Sequence, residues 1–169
     1  MDASQPELRE LVARLQIVLI QPVDFSQTDS ASTVAKVRLL TAAATYFNIL
    51  AVTDFGGRSG AVRGEGLVEQ AVAAAFQTYE GIDPHPGPFE RAAMLLRGIT
   101  QGHPFSDGNK RTGFLLAAYY LNLVGHPWPP QLPEDQVIAF CLRVSAGEIR
   151  DVDEIAAHVR RFWDGTAAP

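Results

Sequence analysis

Residues 103–113 read His-Pro-Phe-Ser-Asp-Gly-Asn-Lys-Arg-Thr-Gly and run directly into the apolar stretch Phe-Leu-Leu-Ala-Ala-Tyr-Tyr-Leu, residues 114–121. Because Pro104 disfavours the α conformation of the residue before it, a preceding helix is predicted to end at or before His103. The next helix is predicted to begin near position 108 or 109 and to run to about Val124. Apolar side chains occupy nearly its whole circumference, which is typical of a central, buried helix.

The start of this central helix is predicted to bind an anion. The first N–H groups of a helix have no intrahelical partners and carry a partial positive charge. Lys110 and Arg111 follow at once, although a cation in the first helical turn costs about 0.3–1 kcal/mol. A polyphosphate held between the helix end and the two cations would reverse that cost, because arginine forks onto phosphate and lysine adds a point charge.

Two further side chains of the same stretch suit phosphate chemistry. Asp107 can hold Mg²⁺, which usually binds through one or two carboxylates together with substrate phosphates. His103 is suited to take a proton from a hydroxyl near neutral pH. Each residue also has an ordinary interpretation: Asp107 as an N-cap, His103 as a packed loop residue, and the two cations as solvated charges. Their combined order and spacing favours the functional interpretation.

Residues 103–111, called the signature stretch below, resemble the signature of the Fic/Doc (Fido) family, His-x-Phe-x-[Asp/Glu]-Gly-Asn-x-Arg, at each fixed position. With Lys110 in the variable place, the stretch is most similar to the Doc (death-on-curing) toxin branch. The resemblance covers about residues 54–163 of a single domain, and residues 1–50 are expected to be an N-terminal helical extension. It implies an all-α fold, a Fic-type helical bundle with a central buried helix and a small β-hairpin flap.

The resemblance also implies a role for each residue of the signature stretch. His103 would be the general base that activates a Ser, Thr or Tyr hydroxyl of a target protein, and Asp107 would coordinate Mg²⁺. Phe105 would be the buried anchor of the loop. The nucleotide would bind the residues that follow, first through an anion hole and then through two cations: Gly108, Asn109, Lys110 and Arg111.

A flap is implied for the glycine-rich residues 53–64, whose composition excludes a stable helix. By composition alone this segment is a plain connecting loop. The family places a hairpin here, and its edge could align a target segment by strand addition. The residues expected to form the flap and to contact the target are Gly57, Arg58, Ser59, Gly60, Ala61, Val62 and Arg63.

Two positions decide which reaction the resemblance implies. The AMP-transferring branch usually has Gly in place of Lys110 and commonly a second Arg in place of Phe114. The form found here resembles Doc-like proteins, which transfer the γ-phosphate instead. We therefore expect a Mg²⁺- and ATP-dependent toxin that phosphorylates a protein, such as a translation elongation factor. The alternatives are a protein adenylyltransferase and a non-catalytic partner-binding module.

Regulation is expected to come from a separate protein. Some members of the family are silenced by a helix with the pattern [Ser/Thr]-x-x-x-Glu-[Gly/Asn]. Glu65 and Glu80 are each followed by glycine, but Ala61 and Phe76 stand four positions before them. The inhibitor is therefore expected to act in trans, as an antitoxin.

Composition narrows the class of partner. A net charge of −5 argues against a broad nucleic-acid interface. No run of 18 apolar residues occurs, so a membrane is not an expected partner.

Cys141 is the single cysteine, which excludes an internal disulfide and fits a reducing cytoplasm. The acidic N-terminus lacks the basic start of a signal peptide, so the expected location is the cytoplasm.

Other helices are predicted on both sides of the signature stretch. The last part of the first of them, Ile49–Val52, is alternatively a short strand. Pro133 is predicted at the first helical position of its helix, and Asp151 with Glu154 to cap the last helix. The predicted ranges are about 31–52, 67–79, 89–100, 133–145 and a final helix that includes residues 155–162.

Overall fold

The computed structural model describes residues 23–55 and 62–165, and within these ranges the protein is helical. The β pairing there consists of two isolated antiparallel bridges, Val62 with Phe105 and Tyr79 with Ile82. The all-α prediction is therefore confirmed. The elements are α1 (Ser30–Phe55), α2 (Leu67–Ala73), a 3-10 turn (Ala74–Phe76), α3 (Pro88–Gly102), α4 (Asn109–Leu123), α5 (Glu134–Ser145) and α6 (Val152–Asp164).

Helix α4 is the buried centre of the fold, as predicted. Every residue from position 112 to position 121 is buried, and α1, α3 and α5 pack around the helix. Gly113 allows a close approach between α4 and α3. A Cβ atom at Gly113 would lie 2.8 Å from Cγ2 of Thr100 and 3.0 Å from the carbonyl oxygen of Leu96. The first turn of α4 is therefore fixed against the last turns of α3.

Helix α1 is longer than the sequence pattern predicts. It continues through Ile49–Val52 to Phe55, so the strand alternative is wrong, and the helix includes residues 53–55, the first part of the glycine-rich segment. The side chains of Leu40 and Phe47 are fully buried. Burial of the helix face that carries these side chains stabilises α1 over residues whose local propensities alone do not distinguish helix from strand.

The predicted helix over residues 67–79 ends early, because the chain turns sharply. Regular helix stops by Phe76, and Tyr79 and Ile82 then exchange two backbone hydrogen bonds of 2.9 Å each. The two central residues of this turn both have positive φ, 51° and 79°. Such a turn is the tight hairpin type and cannot continue a helix.

The two C-terminal helices begin at their predicted signals, with one shift. The Asp151 side chain accepts a hydrogen bond from the Glu154 N–H at 3.0 Å, which confirms the predicted cap of α6. Pro133 precedes α5 as its N-cap and is not its first helical residue. None of the helices in the described ranges is both long enough and apolar enough to cross a lipid bilayer.

Candidate active site

His103 occupies the turn that ends α3. Its backbone is left-handed, with φ 46° and ψ 51°, and its N–H donates to the carbonyl of Ile99 at 3.2 Å. Pro104 disfavours the right-handed helical conformation there, and histidine is among the residue types enriched in the left-handed region. This turn ends α3 at the predicted place and leaves the His103 side chain partly exposed. Strained conformations of this kind concentrate at functional sites.

The Asn109 side chain clamps the loop between α3 and α4. Its Oδ1 accepts from the Phe105 N–H at 3.0 Å, and its Nδ2 donates to the Phe105 carbonyl at 2.9 Å. Phe105 is fully buried, so these two bonds satisfy backbone groups that solvent does not reach. These bonds use the Oδ1 atom and one of the two Nδ2 hydrogens, so the donors that Asn109 can still offer to an anion are its backbone N–H and the second Nδ2 hydrogen.

Gly108 is the N-cap of α4 and lies against α1. Its φ is 76°, and a Cβ atom there would lie 3.0 Å from Nδ2 of Asn48 and 3.4 Å from Cγ2 of Val52. Glycine alone combines this conformation with so close an approach. The N–H of Gly108 donates to Oδ1 of Asp107 at 2.6 Å. Asp107 is therefore not the N-cap of α4, and that alternative is wrong.

Asn48 is a residue of this site that sequence analysis does not identify. It is fully buried on α1, and its Nδ2 donates to the Asp107 carbonyl at 2.8 Å and to Oγ1 of Thr112 at 3.1 Å. The signal that could have found it is a lone amide in the apolar run Phe-Asn-Ile-Leu-Ala-Val, residues 47–52, of a predicted helix. A buried polar side chain in such a run must have a partner.

The charged side chains of the signature stretch lie at its surface. Asp107, Lys110 and Arg111 are exposed around the first turn of α4. Lys110 is close enough to α5 to influence the thiol of Cys141 electrostatically. Burial raises the pKa of Cys141 to about 12, and the positive charge of Lys110 opposes that rise. Cys141 is therefore a buried thiol on α5, and the charge of Lys110 acts on it.

The Phe114 side chain packs among aromatic rings. Its ring lies 6.0 Å from the ring of Trp128 and 6.3 Å from that of Trp163, centroid to centroid, and its side chain is buried. These contacts are those of an aromatic core. Position 114 thus adds no cation to the signature stretch.

The donor set fits a magnesium ion that arrives with a nucleotide. Within residues 23–55 and 62–165, no group of three or more His, Cys, Asp or Glu side chains is arranged to hold a metal. Asp107, however, presents an exposed carboxylate beside the N-terminus of α4. Because Mg²⁺ commonly keeps several waters and takes its remaining ligands from one carboxylate and the phosphates, one such residue is enough.

The chain just before α2 runs beside the signature stretch. Val62 forms an antiparallel bridge with Phe105, and the N–H of Arg63 donates to the carbonyl of Pro104 at 2.8 Å. Val62 and Arg63 are exposed. Of the residues predicted to form the flap, these two therefore lie at the loop. The other five, Gly57, Arg58, Ser59, Gly60 and Ala61, lie outside the described residues, as do residues 1–22 of the predicted extension.

Comparison with known proteins gives consistent matches. The model of the Fic/DOC family matches residues 38–121, a range that begins within α1, before position 54, and contains the whole signature stretch. The protein "Toxin Doc" of Mycolicibacterium smegmatis is 33% identical over 108 residues, which cover 64% of this chain and 82% of that protein. A Fido domain-containing protein of Dictyostelium discoideum is 35% identical over 71 residues, or 41% of this chain and 50% of that protein.

Proposed function

The chain belongs to the Fic/DOC family, and from this premise we propose that it transfers the γ-phosphate of ATP to a hydroxyl of a target protein. The observation that carries the proposal is the signature stretch itself. His103 and Asp107 lie immediately before a 15-residue helix whose first turn presents Lys110 and Arg111. The choice of the phosphoryl group rests on Lys110 and Phe114, by resemblance to the Doc branch.

The phosphates of ATP would lie at the N-terminus of α4. The backbone N–H groups there point out of the helix and favour negative charge. Arg111 would bind two phosphate oxygens through its planar fork, and Lys110 would add a mobile positive charge from the side of α5. Mg²⁺, held by Asp107, would neutralise charge that develops on the phosphate oxygens.

His103 would act as the general base. Its imidazole would take the proton of a Ser, Thr or Tyr hydroxyl as the hydroxyl oxygen forms a bond to the γ-phosphorus. The bond from the γ-phosphorus to the β,γ-bridging oxygen breaks, and ADP leaves with that electron pair. The proton on His103 then passes to solvent, which restores the neutral ring for the next turnover.

The identity of residue 114 supports phosphoryl transfer over AMP transfer, by resemblance to the Doc branch. Phe114 packs against the rings of Trp128 and Trp163 and offers no cation to a nucleotide. AMP transfer would use the same base, and it is therefore the competing outcome of the experiment below.

The biological role that we propose is that of a toxin. The bacterial relative is named Toxin Doc. We propose that a separate antitoxin protein silences this chain in trans. We place its action in the cytoplasm, where ATP is available, and its target in the translation machinery, such as an elongation factor.

Intact-mass spectrometry of proteins from a bacterial lysate incubated with this protein, Mg²⁺ and ATP tests the proposal. A gain of about 80 Da on a target is expected with the wild type, and no gain with His103→Ala. His85→Ala, which removes a histidine outside the signature stretch, should behave as the wild type. A gain of about 329 Da would mean AMP transfer. The absence of any adduct would contradict both enzymatic functions and favour a binding module.

A further inference from the structure

We propose that Asn48 is a positioning residue of the active site, which fixes the Asp107 carboxylate through the peptide bond between Asp107 and Gly108. The part of this inference that concerns catalysis rests on the proposed function. The part that concerns the geometry of the loop does not.

The contacts of Asn48 reach across the sequence to both sides of the N-cap of α4. Its Nδ2 donates to the carbonyl of Asp107, 59 residues away, and to Oγ1 of Thr112, 64 residues away. Since Asn48 is fully buried, its side chain does not meet a substrate. Any effect on transfer must therefore act through the residues that it bonds.

The orientation of the Asn48 amide is determined by its partner. A peptide carbonyl only accepts hydrogen bonds, so the nitrogen of the amide must face Asp107. The Oδ1 atom of Asn48 is buried and accepts no hydrogen bond from residues 23–55 or 62–165. An unsatisfied buried acceptor costs free energy, and an apolar side chain would avoid that cost. Position 48 therefore requires the N–H donor of the side-chain amide and not its oxygen.

One peptide unit connects Asn48 to the carboxylate. The carbonyl of the Asp107–Gly108 peptide accepts from Asn48, and the N–H of the same peptide donates to Oδ1 of Asp107 at 2.6 Å. Rotation of this peptide would break the first bond and carry the second donor away from the carboxylate. The Gly108 Cα lies against the Asn48 amide, since a Cβ atom there would be 3.0 Å from Nδ2. Asn48 therefore holds the peptide by contact as well as by hydrogen bonding.

Gln101 offers a matched control within the same chain. Its Nε2 also donates to two backbone carbonyls, those of Val144 at 2.9 Å and Ile149 at 3.2 Å. These carbonyls belong to the end of α5 and the connection to α6. Although Gln101 is two residues before His103, its amide bonds the other loop, which makes it a stringent control.

The test compares Asn48→Ala with Gln101→Ala by hydrogen exchange of peptides covering residues 103–111, together with denaturant unfolding. Both variants are compared with the wild type. We expect the rate of hydrogen exchange in this stretch to increase about tenfold or more in Asn48→Ala beyond any increase in Gln101→Ala. Asn48→Ser is the second variant, should Asn48→Ala fail to fold, and the same excess is expected. Equal exchange in the Asn48 and Gln101 variants would overturn the proposal.

Kinetics test the catalytic part. In Asn48→Ala the Mg²⁺ concentration for half-maximal transfer should rise. The kcat should fall about tenfold to a hundredfold, because a small displacement of a catalytic group lowers the reaction rate by about that factor. Gln101→Ala should leave both values near those of the wild type. Unchanged Mg²⁺ dependence in Asn48→Ala would overturn the catalytic role. A wild type without transfer activity would instead overturn the proposed function, while the exchange result would still decide the role of Asn48 in the loop.

Discussion

Two loops of this protein are each held by a hydrogen bond from a side-chain amide to a backbone carbonyl, but their charged residues have different roles. In the loop 103–108, between α3 and α4, a backbone carbonyl accepts a hydrogen bond from the side-chain amide of Asn48. In the connection 146–151, between α5 and α6, the carbonyl of Ile149 accepts one from the side-chain amide of Gln101. In both loops a side chain from a distant helix fixes the path of the backbone.

The difference lies in what the charged side chains do. In the connection 146–151, Arg150 donates to the carbonyl of Gly147 at 2.7 Å, and Asp151 caps α6. In the signature stretch the amides of Asn48 and Asn109 and the carboxylate of Asp107 bond the loop backbone, and Lys110 and Arg111 are exposed. Under the proposed function, the two cations of the signature stretch bind a ligand, whereas Arg150 and Asp151 bond the backbone.

The largest expected difference is between two arginines. Arg111→Ala should lower transfer about 10²–10³-fold, the usual effect of removing one donor to developing charge. Because both arginines are exposed, the unfolding free energy of each variant should fall by no more than about 1 kcal/mol. Arg150→Ala, which removes an arginine outside the signature stretch, should leave transfer unchanged. Initial rates and urea unfolding of both variants check this, and equal rate losses would remove the distinction between the loops.

The second difference concerns the amides that bond the backbone. Asn109→Ala leaves the buried N–H and carbonyl of Phe105 without their partners, and each loss should cost about 1–3 kcal/mol. Gln101→Ala should cost about 1 kcal/mol, since that side chain is only partly buried and water can replace it. Guanidinium unfolding curves give both values. A smaller loss of unfolding free energy in Asn109→Ala than in Gln101→Ala would contradict the role of Asn109 in holding the loop.

A third difference is expected between two left-handed glycines. Gly108 and Gly147 have φ of 76° and 74°, so alanine at either should cost about 1–2 kcal/mol in strain. At Gly147 the added Cβ meets the end of the flexible Arg150 side chain, but at Gly108 it meets the buried amide of Asn48. Gly108→Ala should therefore lose about 1 kcal/mol more than Gly147→Ala in thermal or denaturant unfolding. Equal losses would mean that α1 does not constrain Gly108.

The smallest effect is expected from pH, at His158 of α6. Burial, and then the charge of Arg161, lower the pKa of His158 below its ordinary value of 6.5. Between the lowered value and 6.5 the unfolded chain binds more protons than the folded protein, so stability should fall as pH drops through that window. Arg161 donates to Nδ1 of His158 at 2.8 Å, a bond that the protonated ring cannot accept. In His158→Gln the unfolding free energy should depend less steeply on pH below 6.5, and an unchanged slope would contradict the assignment.

The parts of the fold that the sequence predicts are those with local causes. The all-apolar run after the signature stretch predicts buried α4, and Pro104 predicts the end of α3. The sequence does not predict the early end of regular helix at Phe76, because Glu80 with positive φ is an unusual residue for a tight turn. Periodicity alone favours a longer helix there.

The same limit applies to the site. The charged residues of the signature stretch are contiguous, so their proximity follows from the sequence alone. The role of Asn48 depends on a contact across 59 residues, and nothing in the local pattern of α1 indicates which carbonyl it bonds. The use of the Asn109 amide within the loop is likewise a consequence of where Phe105 is buried.

The most direct test of the account follows the phosphate label of ATP. Two samples of ATP, labelled in the γ-phosphate or in the α-phosphate, are incubated with Mg²⁺, bacterial lysate and wild type, His103→Ala or Arg150→Ala protein. We predict protein-bound label from the γ position only, lost with His103→Ala and retained with Arg150→Ala. Label from the α position, or γ label that survives His103→Ala, would contradict it.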